Sequence, residues 1–200
     1  RQDIHHGHLR PSKILFEDND SLDIKISSFG PGKMLSALCN TRHFDDTIYY
    51  KAPENVTNNK YSSASDMYAV GIITFQLLFG YHPFKPNDGY HHIGKYETKL
   101  VSDKIKKGFI CKIRKINKHG IGAWFPCSKY FDTENGDIPP SIEAMDFIVQ
   151  LLQYKPRKRY SAELALTHPF ITNRDKLKAN KISLSVRNSI KEFYHHSSYK

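Results

Sequence analysis

The chain has 200 residues, a formal net charge of +10, 39% hydrophobic and 25% charged residues. That length supplies a substantial core in one large domain or two small ones, and the composition excludes a disordered chain. No apolar run approaches the roughly 18 residues a membrane-spanning helix needs, so the expectation is a protein without a span.

In chain order, Ile14–Phe16 and Ile24–Ile26 flank an Asp/Asn-rich turn and predict a short β-hairpin. Residues 27–61 carry little periodicity and many Gly, Pro, Asn and Asp, and read as a long functional loop. Residues 63–79 are apolar on nearly every side, which predicts a central buried helix with Ser65 as its cap and Gly80 as its stop. A further helix is predicted over 97–107, followed by an irregular stretch over 108–138. Pro139-Pro140-Ser141 opens a helix whose apolar face is Ile142, Met145, Phe147, Ile148, Leu151 and Leu152. Ser161 caps a short helix reaching Leu166, which Pro169 ends, and 175–193 form a basic amphipathic stretch. The fold class is therefore mainly α with one small hairpin.

The start, Arg1-Gln2-Asp3-Ile4, has neither an initiator Met nor a targeting pattern and reads as cut from something longer. Cys39, Cys111 and Cys127 are odd in number and widely spaced, so the expectation is a reducing, cytoplasmic setting without a disulfide framework or zinc site. The charge is concentrated: 101–120 carry net +6 and 172–200 net +5, leaving the remainder near neutral. A basic balance admits nucleic acid, an acidic membrane surface or an acidic peptide as partner. Nucleic-acid binding through 101–120 is the least supported reading, because a single Phe109 gives that patch no aromatic interleaving.

Residues 5–16, His-His-Gly-His-Leu-Arg-Pro-Ser-Lys-Ile-Leu-Phe, resemble the H-R-D-L-K-P-x-N-I-L catalytic loop of eukaryotic protein kinases. Ser28-Phe29-Gly30 stands in the D-F-G place, and Ala52-Pro53-Glu54 is an intact A-P-E within Thr47-Ile-Tyr-Tyr-Lys-Ala-Pro-Glu. Asp66-Met-Tyr-Ala-Val-Gly71 is similar to the family's D-x-W-x-x-G, and Pro156-x-x-Arg159 with His168-Pro169-Phe170 is similar to its closing helix. The matches keep the family's order across 4–171.

The resemblance implies a kinase large lobe over 1–171, with a catalytic loop at 5–14 and an activation segment at 28–54. The small lobe is absent, since neither a glycine-rich loop nor a V-A-I-K strand occurs in the chain. It implies a buried Glu54–Arg159 ion pair, Asp66 bonded to the backbone near His6, and His6 and Phe29 in the apolar stack between lobes. Thr47 and Pro53 complete the structural motif. It further implies that the lobe's upper face, with Leu9 and Phe29, packs on the missing small lobe, so a protein partner or that lobe is expected there.

The chemistry departs from the pattern. Kinases position ATP with two magnesium ions, and an aspartate accepts the substrate proton. Here the base position is His8, the metal-binding Asn is Lys13, the metal-binding Asp is Ser28, and the Arg that reads activation-loop phosphate is Gly7. Arg10 alone keeps the family's charge, replacing Lys. No metal site is expected, and ATP and magnesium, the family's cofactors, are not expected to bind productively.

His8 is weighed as a base, and His5, His6 and His8 as a metal cluster, against a structural His6 with solvated neighbours. Asp132–Asp137 lacks the glycine register and closing Glu of a calcium loop and reads as a surface turn. Lys51 reads as exposed, and Ser36 and Thr41 as activation-loop positions without a receiver.

The tail, 172–200, resembles the regulatory junction of calcium- and calmodulin-dependent kinases, which implies capture by a calmodulin-like module. The expectation is thus an inactive Ser/Thr kinase-like large lobe of that group, serving as scaffold or regulator. An active kinase represented only by its large lobe is the alternative.

Overall fold

The computed structural model describes residues 4–17, 23–29, 46–84, 95–108, 140–173 and 187–188. A 3-10 turn at Pro11–Lys13, with proline fixing its first φ, leads into strand β1 (Ile14–Phe16), which pairs antiparallel with β2 (Ile24–Ile26). The register sets Ile14 against Ile26 and Phe16 against Ile24, so one face of the hairpin is wholly apolar. Phe16, Ile24 and Ile26 on that face remain exposed.

Helix α1 (Pro53–Asn58) and a 3-10 turn at Asp46–Tyr50 lie inside the stretch read as loop. A six-residue helix has too few turns to show apolar periodicity, and its signals are instead Pro53 at the first position and Asn55 two residues later. Asn55 Oδ1 accepts the Ala52 N–H at 2.7 Å, closing the helix start.

Helix α2 (Ser63–Phe79) is the centre of the fold. Tyr68, Ala69, Ile72, Ile73, Phe75 and Phe79 are buried, whereas Leu77 faces solvent. Gly80 ends it with φ +77°, the left-handed conformation that glycine adopts without a Cβ penalty. Ser65 does not cap this helix. Ser62 occupies the cap position, and Ser65, a turn further in, is buried against α1.

Helix α3 (Lys95–Lys107) starts two residues before its expected place and inserts Val101 and Ile105 into the core beside α1. Helix α4 (Ile142–Leu151) is capped by Ser141, whose hydroxyl accepts the Ala144 N–H. It lays Phe147, Ile148 and Leu151 inward along α2. Ile142, expected on that face, is exposed, because the first turn of α4 projects beyond the contact.

A 3-10 turn at Pro156–Lys158 precedes α5 (Ala162–Leu166), capped by Ser161 as its sequence predicts. Pro169 does more than end α5. It opens α6 (Pro169–Thr172), and His168 caps that turn by accepting the Phe170 N–H on Nδ1. Leu9 also departs from expectation: it is 6% exposed and part of the main core, while Phe29 is 59% exposed. The backbone at His8–Arg10 turns Leu9 into the core, while Phe29 stays exposed. Among the described residues no helix is long and apolar enough to cross a membrane.

Candidate functional site

The loop at 5–13 is pinned from below by α2. Asp66, in the first turn of α2, accepts the His6 N–H at 2.6 Å and the Gly7 N–H at 2.9 Å, one on each carboxylate oxygen. Charge-assisted bonds of this kind hold backbone firmly. Gly7 takes φ +83°, which a side chain would strain.

His6 is buried, and its ring bridges two strands of chain. Nε2 donates to the Ser27 carbonyl at 2.9 Å, because a carbonyl oxygen only accepts, and Nδ1 accepts the His8 N–H at 3.3 Å. Both nitrogens are therefore occupied within the chain. The ring lies tilted against His8, with centroids 4.7 Å apart, and against Phe29 at 5.0 Å. Among the described residues no group of three or more His, Cys, Asp or Glu is placed to hold a metal.

His8 is half-buried, and its pKa is lowered from the ordinary histidine value. Burial is the main cause, followed by the positive fields of His6 and Lys13, with Arg10 adding a smaller one. Its Nδ1 is buried without a partner. Lys13 Nζ donates to Ser28 Oγ at 3.3 Å, so the two positions come together across the mouth of the hairpin. Ser28 stands at φ +62°, a left-handed conformation unusual for a residue with a side chain.

This donor set does not fit magnesium. Hard divalent cations take oxygen ligands, with carboxylates supplying the charge. An ammonium beside a neutral hydroxyl supplies repulsion and one weak donor. No acidic residue occurs in 4–16 or 24–29.

Beneath the loop, Gly7, His8, Tyr50, Lys51, Asn55 and Asp66 line a small open cleft. Lys51 is half-buried at its wall, not exposed as its sequence position implied.

Glu54 and Arg159 meet behind this cavity. Arg159 Nη1 donates to Glu54 Oε1 at 2.7 Å and Nη2 to Oε2 at 3.1 Å, a bidentate pair. Arg159 also donates to the carbonyls of Gln153 and Ala64, and its guanidinium lies 4.9 Å from the Tyr68 ring centre. Sequence reasoning missed the polar bridge that completes the anchor. Ser65 Oγ donates to Glu54 Oε1 at 3.1 Å and accepts from Asn55 Nδ2 at 3.0 Å. It missed two buried histidines as well: His82 donates to the Tyr49 carbonyl, and His168 pairs with Asp146 at 3.0 Å. In the sequence His168 stands out only as part of the closing motif, and neither histidine's partner is legible from its neighbours.

Thr47 lies by its backbone in the Asp46–Tyr50 turn, and Pro53 is buried at the start of α1. Gly30, Ser36, Thr41, the three cysteines, 109–139 and nearly all of the tail lie outside the described residues.

Residues 1–171 match the family described as Protein kinase domain. The chain belongs to the protein kinase domain family. It is 31% identical over 175 residues to the probable serine/threonine-protein kinase fhkC of Dictyostelium discoideum, covering 86% of this chain and 24% of that protein. It is 30% identical over 171 residues to serine/threonine-protein kinase 17A of Oryctolagus cuniculus, covering 85% of this chain and 36% of that protein. The chain thus spans about a quarter to a third of these relatives' length.

Among solved structures, titin kinase with its flanking domains is similar in fold, with a TM-score of 0.63 at 24% identity. That alignment covers 96% of this chain and 30% of that one. Rad53 residues 1–466 in complex with AMP-PNP gives a TM-score of 0.52 at 28% identity, covering 84% of this chain and 34% of that one. The architecture is accordingly a kinase-like fold whose described part is mostly helical, with a two-stranded sheet.

Proposed function

We propose that this kinase-family chain is a large lobe over 1–171 that does not transfer phosphate and acts as a scaffold or regulator. The observation that carries the reading is the Lys13–Ser28 contact at 3.3 Å. A cation and a hydroxyl stand where the family pattern places Asn and Asp, so the positive charge of magnesium meets no compensating carboxylate. His8 at the base position, whose protonation is disfavoured by burial and then by neighbouring His6 and Lys13, supports the same reading.

Manganese, as a paramagnetic substitute for magnesium, tests it. In the native chain, added manganese is expected to leave the NMR signals of residues 8, 13 and 28 sharp. The triple variant His8→Asp, Lys13→Asn, Ser28→Asp is expected to show selective broadening there. Broadening at Ser28 in the native chain would overturn the silent reading. It would favour the second one, an active Ser/Thr kinase represented here by its large lobe, which the names of the two kinase relatives support.

We assign the lobe to the calcium/calmodulin-dependent group and the 172–200 tail to a calmodulin-like partner, in a reducing intracellular setting. The support is the basic tail with Leu177, Ile182, Leu184, Val186, Ile190 and Phe193 as spaced anchors. A tail peptide that binds calcium-loaded calmodulin no better than the calcium-free form would sink that assignment.

A further inference from the structure

We propose that the end of α3 and the turn after α4 form a docking surface for an acidic segment of a partner protein, one that carries an apolar residue among its carboxylates. The surface consists of Lys106, Lys107, Tyr154, Lys155, Arg157 and Lys158, all outside the catalytic loop. It goes beyond the reading of that loop and holds whether or not the loop transfers phosphate.

One contact brings the two segments together. Gly108 closes α3 at φ +83°, with its N–H shared between the Lys104 and Ile105 carbonyls. A Cβ there would stand 2.9 Å from Tyr154 Cδ2, so the ring lies directly against the glycine backbone. Lys107 and Lys155 are the chain neighbours of these two residues and flank the contact. The turn that carries Tyr154 is held in place. Pro156 fixes its first φ, the Lys158 N–H donates to the Lys155 carbonyl at 2.9 Å, and buried Arg159 donates to the Gln153 and Tyr154 carbonyls. A surface already ordered loses little freedom when a partner arrives.

Its charge exceeds what the fold itself uses. Residues 103–108 and 154–158 hold six Lys/Arg against one Asp, net +5. Helix α3 ends at Lys107 and α4 at Leu151, and each helix C-terminus carries roughly −0.5, about −1 together. Helix dipoles therefore account for a minor part of the cations. Asp103 meets Lys106 only at 3.9 Å, the long limit of an ion pair. Among the described residues no acid pairs with Lys107, Lys155, Arg157 or Lys158, and all four are exposed.

The centre of the surface selects the kind of partner. Tyr154 is 46% exposed, open on the side away from Gly108. Tyrosine and arginine are enriched in protein interfaces, and a guanidinium takes a carboxylate on two parallel bonds. A nucleic-acid strand asks for successive aromatic platforms along a cationic groove, and this surface offers a single ring. Carboxylates around one apolar side chain match a ring bordered by cations.

The test is an NMR titration of the 200-residue chain with a synthetic peptide of Glu and Asp around one central Phe. A DNA duplex and phosphatidylserine vesicles form separate arms. Saturable shifts at residues 106, 107, 154, 155, 157 and 158 are expected with the peptide, and the affinity should fall as salt rises. Lys107→Gln and Lys155→Gln should each weaken peptide binding about two- to fivefold, the effect of one exposed charge pair. Both lysines are exposed, so these variants keep the fold, and Lys25→Gln on the hairpin should leave the binding unchanged. Absence of saturable shifts, an equal loss in Lys25→Gln, or tighter binding of the duplex or the vesicles overturns the proposal. The manganese experiment on the catalytic loop is unaffected by any of these outcomes.

Discussion

Tyr68 stands where the family pattern has tryptophan, and its ring fills the same central place under the Arg159 guanidinium. The hydroxyl comes with a cost. It is fully buried without a hydrogen-bond partner, and burial pushes its pKa far above the usual tyrosine range. Removing an unsatisfied buried hydroxyl while keeping the ring removes a desolvation penalty. Tyr68→Phe is therefore expected to stabilise the chain by about 1 kcal/mol, read from the urea midpoint. A loss of stability would reveal a partner for the hydroxyl.

His8 makes the other residue-scale prediction. Its folded-state pKa lies below its unfolded value, so the unfolded chain takes up the proton first as pH falls. The stability His8 contributes is complete above about pH 6.5 and is lost as pH drops toward the lowered folded value. Burial opposes protonation most, the neighbouring His6, Lys13 and Arg10 oppose it further, and a bond to the His6 backbone offsets part of this. An NMR titration of the His8 ring should show a midpoint below the ordinary histidine value of about 6.5, and a midpoint at or above it would contradict the geometry.

At the scale of elements, α2 and α4 approach closely at Gly71. A Cβ added at Gly71 would stand 2.8 Å from Leu151 Cβ and 2.9 Å from Leu152 Cδ2. Leu152 can turn its terminal methyl aside, but Leu151 Cβ is fixed to the α4 backbone. Gly71→Ala should thus cost about 1–3 kcal/mol through overpacking, exceeding the gain of up to ~1 kcal/mol in helix propensity. Equilibrium denaturation of the variant checks the sign. The central helix α2 was legible because apolar residues recur on nearly every side across its seventeen positions, and Pro139-Pro140-Ser141 was legible as a helix start and Ser161 as a cap. Helix α1 was hidden because six residues carry almost no periodic signal, and Ser65 was misread because a serine near a helix start looks the same whether it caps or is buried.

Over the whole molecule, Arg159 and Glu54 join segments separated by 105 positions in sequence. Arg159's side chain is fully buried and Glu54's is 10% exposed, so removing one partner strands a charge inside the protein. Glu54→Ala is expected to destabilise by about 3–5 kcal/mol, a large share of a typical domain's 5–15 kcal/mol. Arg159→Met in the Glu54→Ala background should recover part of that loss, because the double change removes the stranded charge. Additive losses would mean that the pair is not coupled.

The amino-acid sequence by itself determined the family, the order of the motifs, the central helix and the replacement of acids by His8, Lys13 and Ser28. These are matters of residue identity and spacing along one chain. Only the tertiary structure decided that Lys13 and Ser28 touch, that Leu9 turns into the core while Phe29 stays out, and that Ser65 ties Glu54 to Asn55. Each depends on which groups distant segments bring within a few ångströms, and contact geometry of that kind is set by packing around α2, where local pattern carries no record of it.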